Sequence, residues 1–326
     1  MPKTSSDPPN WRRAALNGPT MGTRWSVHLD TDGTTDLAAV EADLAAAVEQ
    51  VDAQMSPWKE DSDLVRLNRA PVGAWVQVPA QMLEVLTCAL DVHMQSAGAF
   101  NPCAGALVDA WGFGAARDVP DAQAIRAARA ATPRDAGAAL EIDLPGGRVR
   151  KAVPLQVDLC GIAKGYGVDR MAAVLHRHGV RHALAALDGE LRAVGHQASG
   201  AAWAVAVESP EAGRRAARGV IELQDLSVAT SGDYRRYLTV GDHRLAHTMD
   251  AQRCAPVNHA VASVTVLARS CMRADAWATA LLVAGPAQGP VLARQMGMDA
   301  LFLLRGADGL REVGTGRFGA PPGRPG

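Results

Sequence analysis

The spacing of apolar and polar residues along the chain predicts a mixture of helices and short strands. Thr35–Met55 has apolar residues at helical spacing and is rich in Ala, Glu and Gln, so we predict a helix there. Similar patterns predict helices at Asp63–Asn68, Pro79–Ser96, Pro120–Ala131, Gly161–His178, Met272–Ala284 and Gln288–Met296. Alternating or β-branched runs predict strands at Thr23–Leu29, Ala74–Val78, within Leu140–Val157, and at His182–Leu187, Trp203–Glu208, Val220–Leu223, Tyr234–Val240, Arg244–Thr248, Val261–Ala268 and Ala300–Leu304.

The order of these elements indicates an α+β fold. Strands follow one another through tight turns, and helices come in pairs, which favours antiparallel sheets with packed helices over a doubly wound parallel sheet. We predict a single globular unit with a ligand cleft over residues 19–314. The Pro/Ser/Asp-rich start, residues 1–18, and the Pro/Gly/Arg-rich end, residues 315–326, are predicted to be disordered tails.

Composition narrows the possible partners. Hydrophobic residues make up 48% of the 326 residues and the formal net charge is −1, so nothing indicates nucleic acid or an anionic membrane as a partner. No stretch predicts a membrane span, and the first residues lack the apolar core of a secretion signal. Five cysteines without a CxxC pair argue against a disulfide framework or a structural zinc site. We expect a cytoplasmic protein, or a periplasmic one if the start site is misassigned.

The segment Val157–Arg170, VDLCGIAKGYGVDR, is the most informative one. Asp158 ends an apolar run, Cys160 and Gly161 form a turn, and Lys164 follows on a predicted helix. A strand–glycine–helix junction offers backbone N–H groups and a lysine charge to a phosphate. The spacing is neither GxxxxGK nor GxGxxG, so it is neither a P-loop nor a dinucleotide fingerprint. A plain turn with a surface lysine is the alternative.

Asp275 and Thr279 lie four residues apart on a predicted helix and therefore share a face. A carboxylate and a hydroxyl so placed can supply the hard oxygen ligands that Mg²⁺ prefers. The alternative is an Asp in a first helical turn, facing the surface and favoured by the helix dipole, together with a Thr that bonds back to the backbone.

His247 and Asp250 lie where a predicted strand meets a turn, and a histidine there can act as a general base for a hydroxyl. Thr230 and Ser231 offer hydroxyls to a phosphate or a ribose. A structural or exposed histidine and a β-turn with self-capping hydroxyls are the competing interpretations.

The segment Gly98–Phe113, GAFNPCAGALVDAWGF, combines aromatic, polar and glycine residues in a chain with few aromatics. Such a mixture suits the face of an isoalloxazine or an adenine, while core packing of a loop is the competing interpretation.

Read in order, these segments resemble the ApbE-type FAD:protein FMN transferases from Met21 to about Gly285. The stretches that carry the resemblance are MGTRWSV (Met21–Val27), MSPWKEDSDLVRLN (Met55–Asn68), GAFNPCAGALVDAWGF, VDLCGIAKGYGVDR, SVATSGDYRRYL (Ser227–Leu238), AHTMD around His247, and SVTVLARSCMRADAWATALLVAG (Ser263–Gly285).

The resemblance implies an enzyme that moves FMN from FAD to a Thr or Ser hydroxyl of an acceptor flavoprotein and releases AMP, with Mg²⁺ or Mn²⁺. It implies metal ligands at Asp275, Thr279 and the carbonyl of Ala163, and His247 as the residue that assists the attacking hydroxyl. It implies FAD contacts, in the cleft or near the phosphates, at Met21, Trp58, Ala99, Phe100, Asn101, Asp158, Lys164, Thr230, Ser231, His247 and Asp250.

Four departures from the family pattern bear on activity. The family usually has Asp at the position of Asn101, Gly-Gly-Asp at Asp188-Gly189-Glu190, glycine at Cys160 and proline at Ala251. These changes affect efficient transfer more than FAD binding. Hydrolysis of FAD to FMN and AMP, and flavin binding without turnover, are therefore kept as alternatives.

Overall fold

The computed structural model describes residues 11–210, 217–234, 237–240, 243–307 and 309–319. The helices in this part of the chain are α1 (Leu37–Met55), α2 (Asp63–Arg69), α3 (Ala80–Gln95), α4 (Gly105–Ala110), α5 (Ala122–Ala131), α6 (Ala136–Ala139), α7 (Ala163–Arg177), α8 (Cys271–Gln295) and a 3₁₀ turn at Gly316–Phe318. The strands are β1 (Arg12–Thr20), β2 (Thr23–Thr31), β3 (Trp75–Gln77), β4 (Leu140–Asp143), β5 (Arg148–Lys151), β6 (Ala183–Leu187), β7 (Glu190–Val194), β8 (Trp203–Glu208), β9 (Ala217–Leu223), β10 (Ser227–Gly232), β11 (Tyr237–Val240), β12 (His243–Ala246), β13 (Met249–Asp250), β14 (Ala255–Pro256), β15 (Val261–Ala268), β16 (Asp299–Gly306) and β17 (Gly309–Thr315).

An eight-stranded sheet forms the centre of the molecule. Its spatial order is β1-β2-β6-β7-β10-β15-β16-β17, and each neighbouring pair is antiparallel. A three-stranded sheet, β3-β5-β4, and the ribbons β8–β9, β11–β12 and β13–β14 surround it. The α+β prediction with antiparallel sheets is confirmed. Among the described residues, no helix is both long and apolar enough to cross a membrane.

The two faces of the central sheet are covered differently. Side chains alternate along β6, so that Ala183, Ala185 and Leu187 pack against α1 and α7 on one face. On the other face, Trp203 and Ile221 of the β8–β9 ribbon pack against the sheet. The helices α7 and α8 pack against each other, and their first turns meet where Gly165 approaches the backbone of Cys271.

Several elements correct the sequence interpretation. Residues 12–18, assigned to a tail, belong to β1, whose full register with β2 compensates for the turn-like Asn17-Gly18-Pro19. Residues 315–318, also assigned to a tail, end β17 and form the 3₁₀ turn, while residues 1–10 and 320–326 lie outside the described residues. The strands β7, β10, β13, β14 and β17 and the helices α4 and α6 were not predicted.

The last long helix follows its prediction closely. Two helices were expected on either side of residues 285–287, and α8 is broken at Gly285, where φ is 76°. The first part, which contains Asp275 and Thr279, is therefore a separate helical segment, and α8 packs on β10 and β15.

Candidate active site

One cavity of about 1100 Å³ opens beside the first turns of α7 and α8. Every residue that the sequence assigned to the site lines it, except Asp250; the lining includes Met21, Trp58, Ala99, Phe100, Asn101, Asp158, Ala163, Lys164, Thr230, Ser231, His247, Asp275 and Thr279. Their clustering from seven separate parts of the chain makes this cavity the candidate active site.

The corner between α7 and α8 is closed by a contact that only glycine permits. A Cβ on Gly165 would lie 2.4 Å from the carbonyl oxygen of Cys271. This close approach lets the Gly165 N–H donate to Oδ2 of Asp275 over 3.0 Å. Asp275 is only 3% exposed, so the sequence interpretation of a surface-facing Asp in a first helical turn is wrong. Its carboxylate is held in the cavity wall by the neighbouring helix.

A second carboxylate fixes the position of α8. Asp169 on α7 accepts hydrogen bonds from the N–H groups of Cys271 and Met272, both over 3.0 Å, and from the hydroxyl of Ser270 over 2.8 Å. It also forms an ion pair with Arg192 on β7. An acidic side chain at a helix N-terminus satisfies N–H groups that have no partner within the helix. Asp169 therefore sets the register between Lys164 on α7 and Asp275 on α8.

The hydroxyls predicted to bind phosphate or metal lie together on one wall. Thr279 Oγ1 and Ser231 Oγ are 3.0 Å apart, and Thr230 Oγ1 lies 2.9 Å from Thr265 Oγ1. Thr230 and Ser231 belong to the central strand β10, which contradicts the competing interpretation of a β-turn. Gly161 was missed as a site residue: a Cβ there would lie 3.1 Å from Thr279 Oγ1. The backbone at Gly161 therefore borders this hydroxyl pair.

Lys164 lies in a cluster of carboxylates. Its Nζ donates to both oxygens of Glu190, over 2.9 and 3.0 Å, and lies 3.6 Å from Asp188. Burial acts to lower the pKa of Lys164, but Glu190, Asp275 and Asp188 together raise that pKa above its ordinary value. Glu190 is 2% exposed, and burial raises its pKa although Lys164 opposes the shift. Burial also raises the pKa of Asp275.

This cluster gives Lys164 a partner that the sequence did not predict. The sequence placed it near the FAD phosphates, whereas its ammonium is already held by Glu190, a residue that sequence reasoning treated only as a departure from the family. The first residue of the β6–β7 turn, Asp188, adopts φ 54°, the left-handed region that Asp tolerates better than most residues. The Asp188 departure is therefore accommodated by the backbone.

The donor set at this corner fits a hard divalent cation. One ammonium, Lys164, faces three carboxylates, so the ionised cluster carries an excess of negative charge. Asp275 and Thr279 supply oxygen atoms to the cavity wall. The described residues contain no group of three or more His, Cys, Asp or Glu side chains that could hold a metal alone. A cation here would need backbone, water or ligand oxygens to complete its coordination.

The aromatic side of the cavity is built from loops. Phe100 is 4% exposed, whereas Trp58 at the rim is 49% exposed. Asn101 uses its amide within the loop, because Nδ2 donates to the carbonyl of Pro133 over 2.9 Å and Oδ1 accepts from Cys103 N–H over 2.9 Å. Met21, at φ 46°, forms the two-residue turn between β1 and β2 with Gly22.

Three predicted residues remain, His247, Asp158 and Asp250, and the first two line the cavity. His247 lies between β12 and β13, with its ring centroid 6.5 Å from that of Phe113. Asp158 accepts from the Cys160 N–H over 2.7 Å and so closes the turn that precedes α7. Asp250 is a correction: its Oδ1 accepts from two backbone N–H groups of its own turn, at Gln252 and Arg253, outside the cavity lining.

Comparisons with known proteins show the family of the chain. The model of the ApbE family matches residues 21–302. An FAD:protein FMN transferase of Vibrio cholerae is 35% identical over 308 residues, which cover 93% of this chain and 91% of that protein. The apo crystal structure of Pseudomonas stutzeri flavinyl transferase ApbE is similar with a TM-score of 0.84 at 36% identity, covering 96% of this chain and 98% of that one. A flavin transferase ApbE structure from Vibrio cholerae also gives 0.84, at 34% identity, covering 94% and 97%. The chain belongs to the ApbE family.

Proposed function

We propose that this protein transfers FMN from FAD to a Thr or Ser hydroxyl of an acceptor flavoprotein, depends on Mg²⁺ or Mn²⁺, and releases AMP. The observation that carries the proposal is the continuity of one cavity. An aromatic, loop-built wall at Phe100 and Trp58 passes directly into the oxygen-lined corner at Asp275 and Thr279. A flavin ring and a pyrophosphate need these two environments side by side.

The residues have separate roles in this reaction. The acceptor oxygen attacks the FMN-side phosphorus of FAD, His247 takes the hydroxyl proton, and the bond to the bridging oxygen breaks so that AMP leaves. A divalent cation at Asp275, Thr279 and the Ala163 carbonyl would polarise the pyrophosphate and offset the charge on the departing AMP. Catalysis then depends mainly on positioning and electrostatics, as in other phosphoryl transfers.

The charge cluster supports this division of labour. Lys164 is bound to Glu190, so we assign it to holding the buried carboxylate and to stabilising the corner electrostatically. Thr230 and Ser231 remain as neutral hydrogen-bonding groups for phosphate oxygens on the same wall. The cytoplasmic location expected from the sequence stays a prediction, which fractionation of cells that produce the protein checks.

A direct experiment separates transfer from its alternatives. The protein is incubated with FAD, Mg²⁺ and a candidate acceptor that contains a threonine at the modified position. The mass of the denatured acceptor is then measured by mass spectrometry. We expect a covalent FMN increment that disappears for the Thr→Val acceptor and in EDTA. AMP released without an increment on the acceptor would indicate FAD hydrolysis, and FAD bound without AMP release would indicate a flavin carrier.

A further inference from the structure

The C-terminal end of α3 lies beside the aromatic wall of the cavity. Two side chains there, those of His93 and Ser96, bind the backbone of Phe100. His93 Nδ1 lies 2.8 Å from the carbonyl oxygen of Phe100. Ser96, the residue after α3, accepts the Phe100 N–H at its Oγ over 3.1 Å. Both backbone polar groups of Phe100 are therefore held by side chains from one helix end, although neither side chain lines the cavity.

The other ring nitrogen of His93 is also engaged. Nε2 accepts the N–H of Ala136 over 3.1 Å, and the side chain is buried with 6% exposure. A ring that accepts at Nε2 must carry its proton at Nδ1, so it donates to the Phe100 carbonyl in the neutral form. The imidazole therefore connects two loops through two distinct and separable hydrogen bonds.

The loop that this arrangement holds has a demanding backbone. Ala97 and Gly98 adopt φ of 50° and 81°, and a non-glycine residue in the left-handed region costs free energy. Such a conformation persists only where surrounding contacts determine it. The next residues, Ala99, Phe100 and Asn101, form the flavin side of the cavity wall.

We propose that His93 and Ser96 are positioning residues for flavin binding. They fix the Phe100 backbone so that the wall from Ala99 to Asn101 is already formed before FAD enters. The bond from His93 to Phe100 serves FAD affinity, whereas the bond from His93 to Ala136 serves only the packing of α6. This inference rests on the proposed function in taking FAD as the ligand of the wall.

The two bonds can be removed one at a time, because each amide side chain reproduces one ring nitrogen. In His93→Asn the amide nitrogen takes the place of Nδ1 and keeps the bond to Phe100. In His93→Gln the amide oxygen takes the place of Nε2 and keeps the bond to Ala136. Both variants lose one hydrogen bond and part of the ring, so they form a matched pair.

The measurements are the Kd for FAD by flavin fluorescence, KM and kcat for transfer, and thermal unfolding without FAD. We expect His93→Gln to raise the Kd and the KM for FAD about three- to tenfold, the equivalent of one hydrogen bond, with kcat within about twofold. His93→Asn should stay within about twofold of the wild-type Kd while its Tm falls as much as that of His93→Gln. Ser96→Ala, which frees the Phe100 N–H, should also raise the Kd for FAD about threefold or more.

Equal FAD affinity in His93→Asn and His93→Gln would overturn the proposal, since the ring would then only fill space. If both variants fail to fold, Ser96→Ala tests the proposal alone. An unchanged Kd for FAD in that variant would overturn the positioning role of His93 and Ser96. Because FAD affinity is measured without an acceptor, a wild-type protein that binds FAD but transfers nothing would refute the transfer function while leaving this result interpretable.

Discussion

The α7–α8 corner and the aromatic rim at Trp58 are two parts of one cavity with opposite construction. At the corner, the first turn of α7 holds Asp275 and Glu190, which are 3% and 2% exposed, through hydrogen bonds from the Gly165 N–H and the Lys164 ammonium. At the rim, loops and short ribbons present Trp58, which is 49% exposed, and His247.

This difference in burial leads us to expect different roles for the two parts of the cavity. Buried carboxylates are expensive to maintain unless they are paired, so a fold retains them where fixed charge is needed. An exposed aromatic rim has little such cost and can adapt to an incoming ligand. The corner should therefore control the rate of transfer, and the aromatic side chains of the rim should control the affinity for FAD, while His247 contributes to the rate as the proposed base.

The largest expected effect is at the corner. Asp275→Asn keeps an acceptor for the Gly165 N–H but removes the charge, so we expect metal-dependent transfer to fall at least about a hundredfold. The unliganded variant should be at least as stable as the wild type, because one of three clustered carboxylates is neutralised. Transfer assays over a Mg²⁺ series and urea unfolding measure both quantities. Wild-type transfer in the variant would remove Asp275 from the metal site.

A slightly smaller effect is expected at the rim, where His247→Ala removes the proposed base. General-base help is worth about 10²–10⁴-fold, so single-turnover transfer should slow at least about a hundredfold at saturating FAD. His247→Asn should behave similarly, and the FAD affinity of both variants should stay near that of the wild type. Weaker FAD binding with a normal transfer rate would instead assign His247 to flavin contact.

The ion pair of the corner should affect stability more than affinity. Lys164→Met leaves Glu190 buried without a counterion, which costs at most about 3–5 kcal/mol and less here because the Lys164 side chain is 30% exposed. The double variant Lys164→Met/Glu190→Gln should regain most of this free energy of unfolding. Urea unfolding of the single and double variants tests the pairing.

The same variant has a defined pH dependence. Burial already raises the pKa of Glu190, and loss of Lys164 raises it further. A carboxyl with a raised folded-state pKa destabilises the fold once pH exceeds its unfolded value of about 4.3, and the loss grows until the folded pKa is passed. The stability deficit of Lys164→Met should therefore be smaller at pH 5 than at pH 8. An equal deficit at both values would contradict the assignment to Glu190.

The smallest effect should follow restoration of the family's usual residue. Asn101→Asp loses the Nδ2 donor to Pro133 and brings a carboxylate against a carbonyl oxygen, so we expect a loss of about 1–3 kcal/mol in stability and a weaker FAD affinity. Thermal unfolding and fluorescence titration measure the two changes. A variant with improved FAD affinity would show that this position acts through the ligand and not through the loop.

Sequence periodicity predicted the helices and strands whose own apolar residues are regularly spaced. The helix α1 and the buried strand β15 were found within two residues, and the break at Gly285 was expected between two helices. The strand β1 was missed because the Pro/Ser/Asp-rich composition of the first residues indicated a tail, and pairing with β2 makes residues 12–18 extended.

The sequence predicted which residues form the site better than it predicted the hydrogen-bond partners of those residues. Motif order brought thirteen of the fourteen assigned residues to one cavity, with Asp250 outside it. The partners of Lys164 and Asn101 could not be read from the sequence, because Glu190 and Pro133 lie 26 and 32 residues away along the chain. Long-range pairing, and not local pattern, decides whether such a side chain faces a ligand or the protein.

The most direct test of the central claim compares AMP release and acceptor modification in one reaction. Wild type and Asp275→Asn are mixed with FAD, Mg²⁺ and a threonine acceptor, and AMP and FMN-modified acceptor are quantified over a single turnover. We predict equal amounts of the two products from the wild type and at least about a hundredfold slower formation of both in the variant. AMP formed in excess over modified acceptor, or both products formed at the wild-type rate in Asp275→Asn, would contradict transfer at the α7–α8 corner.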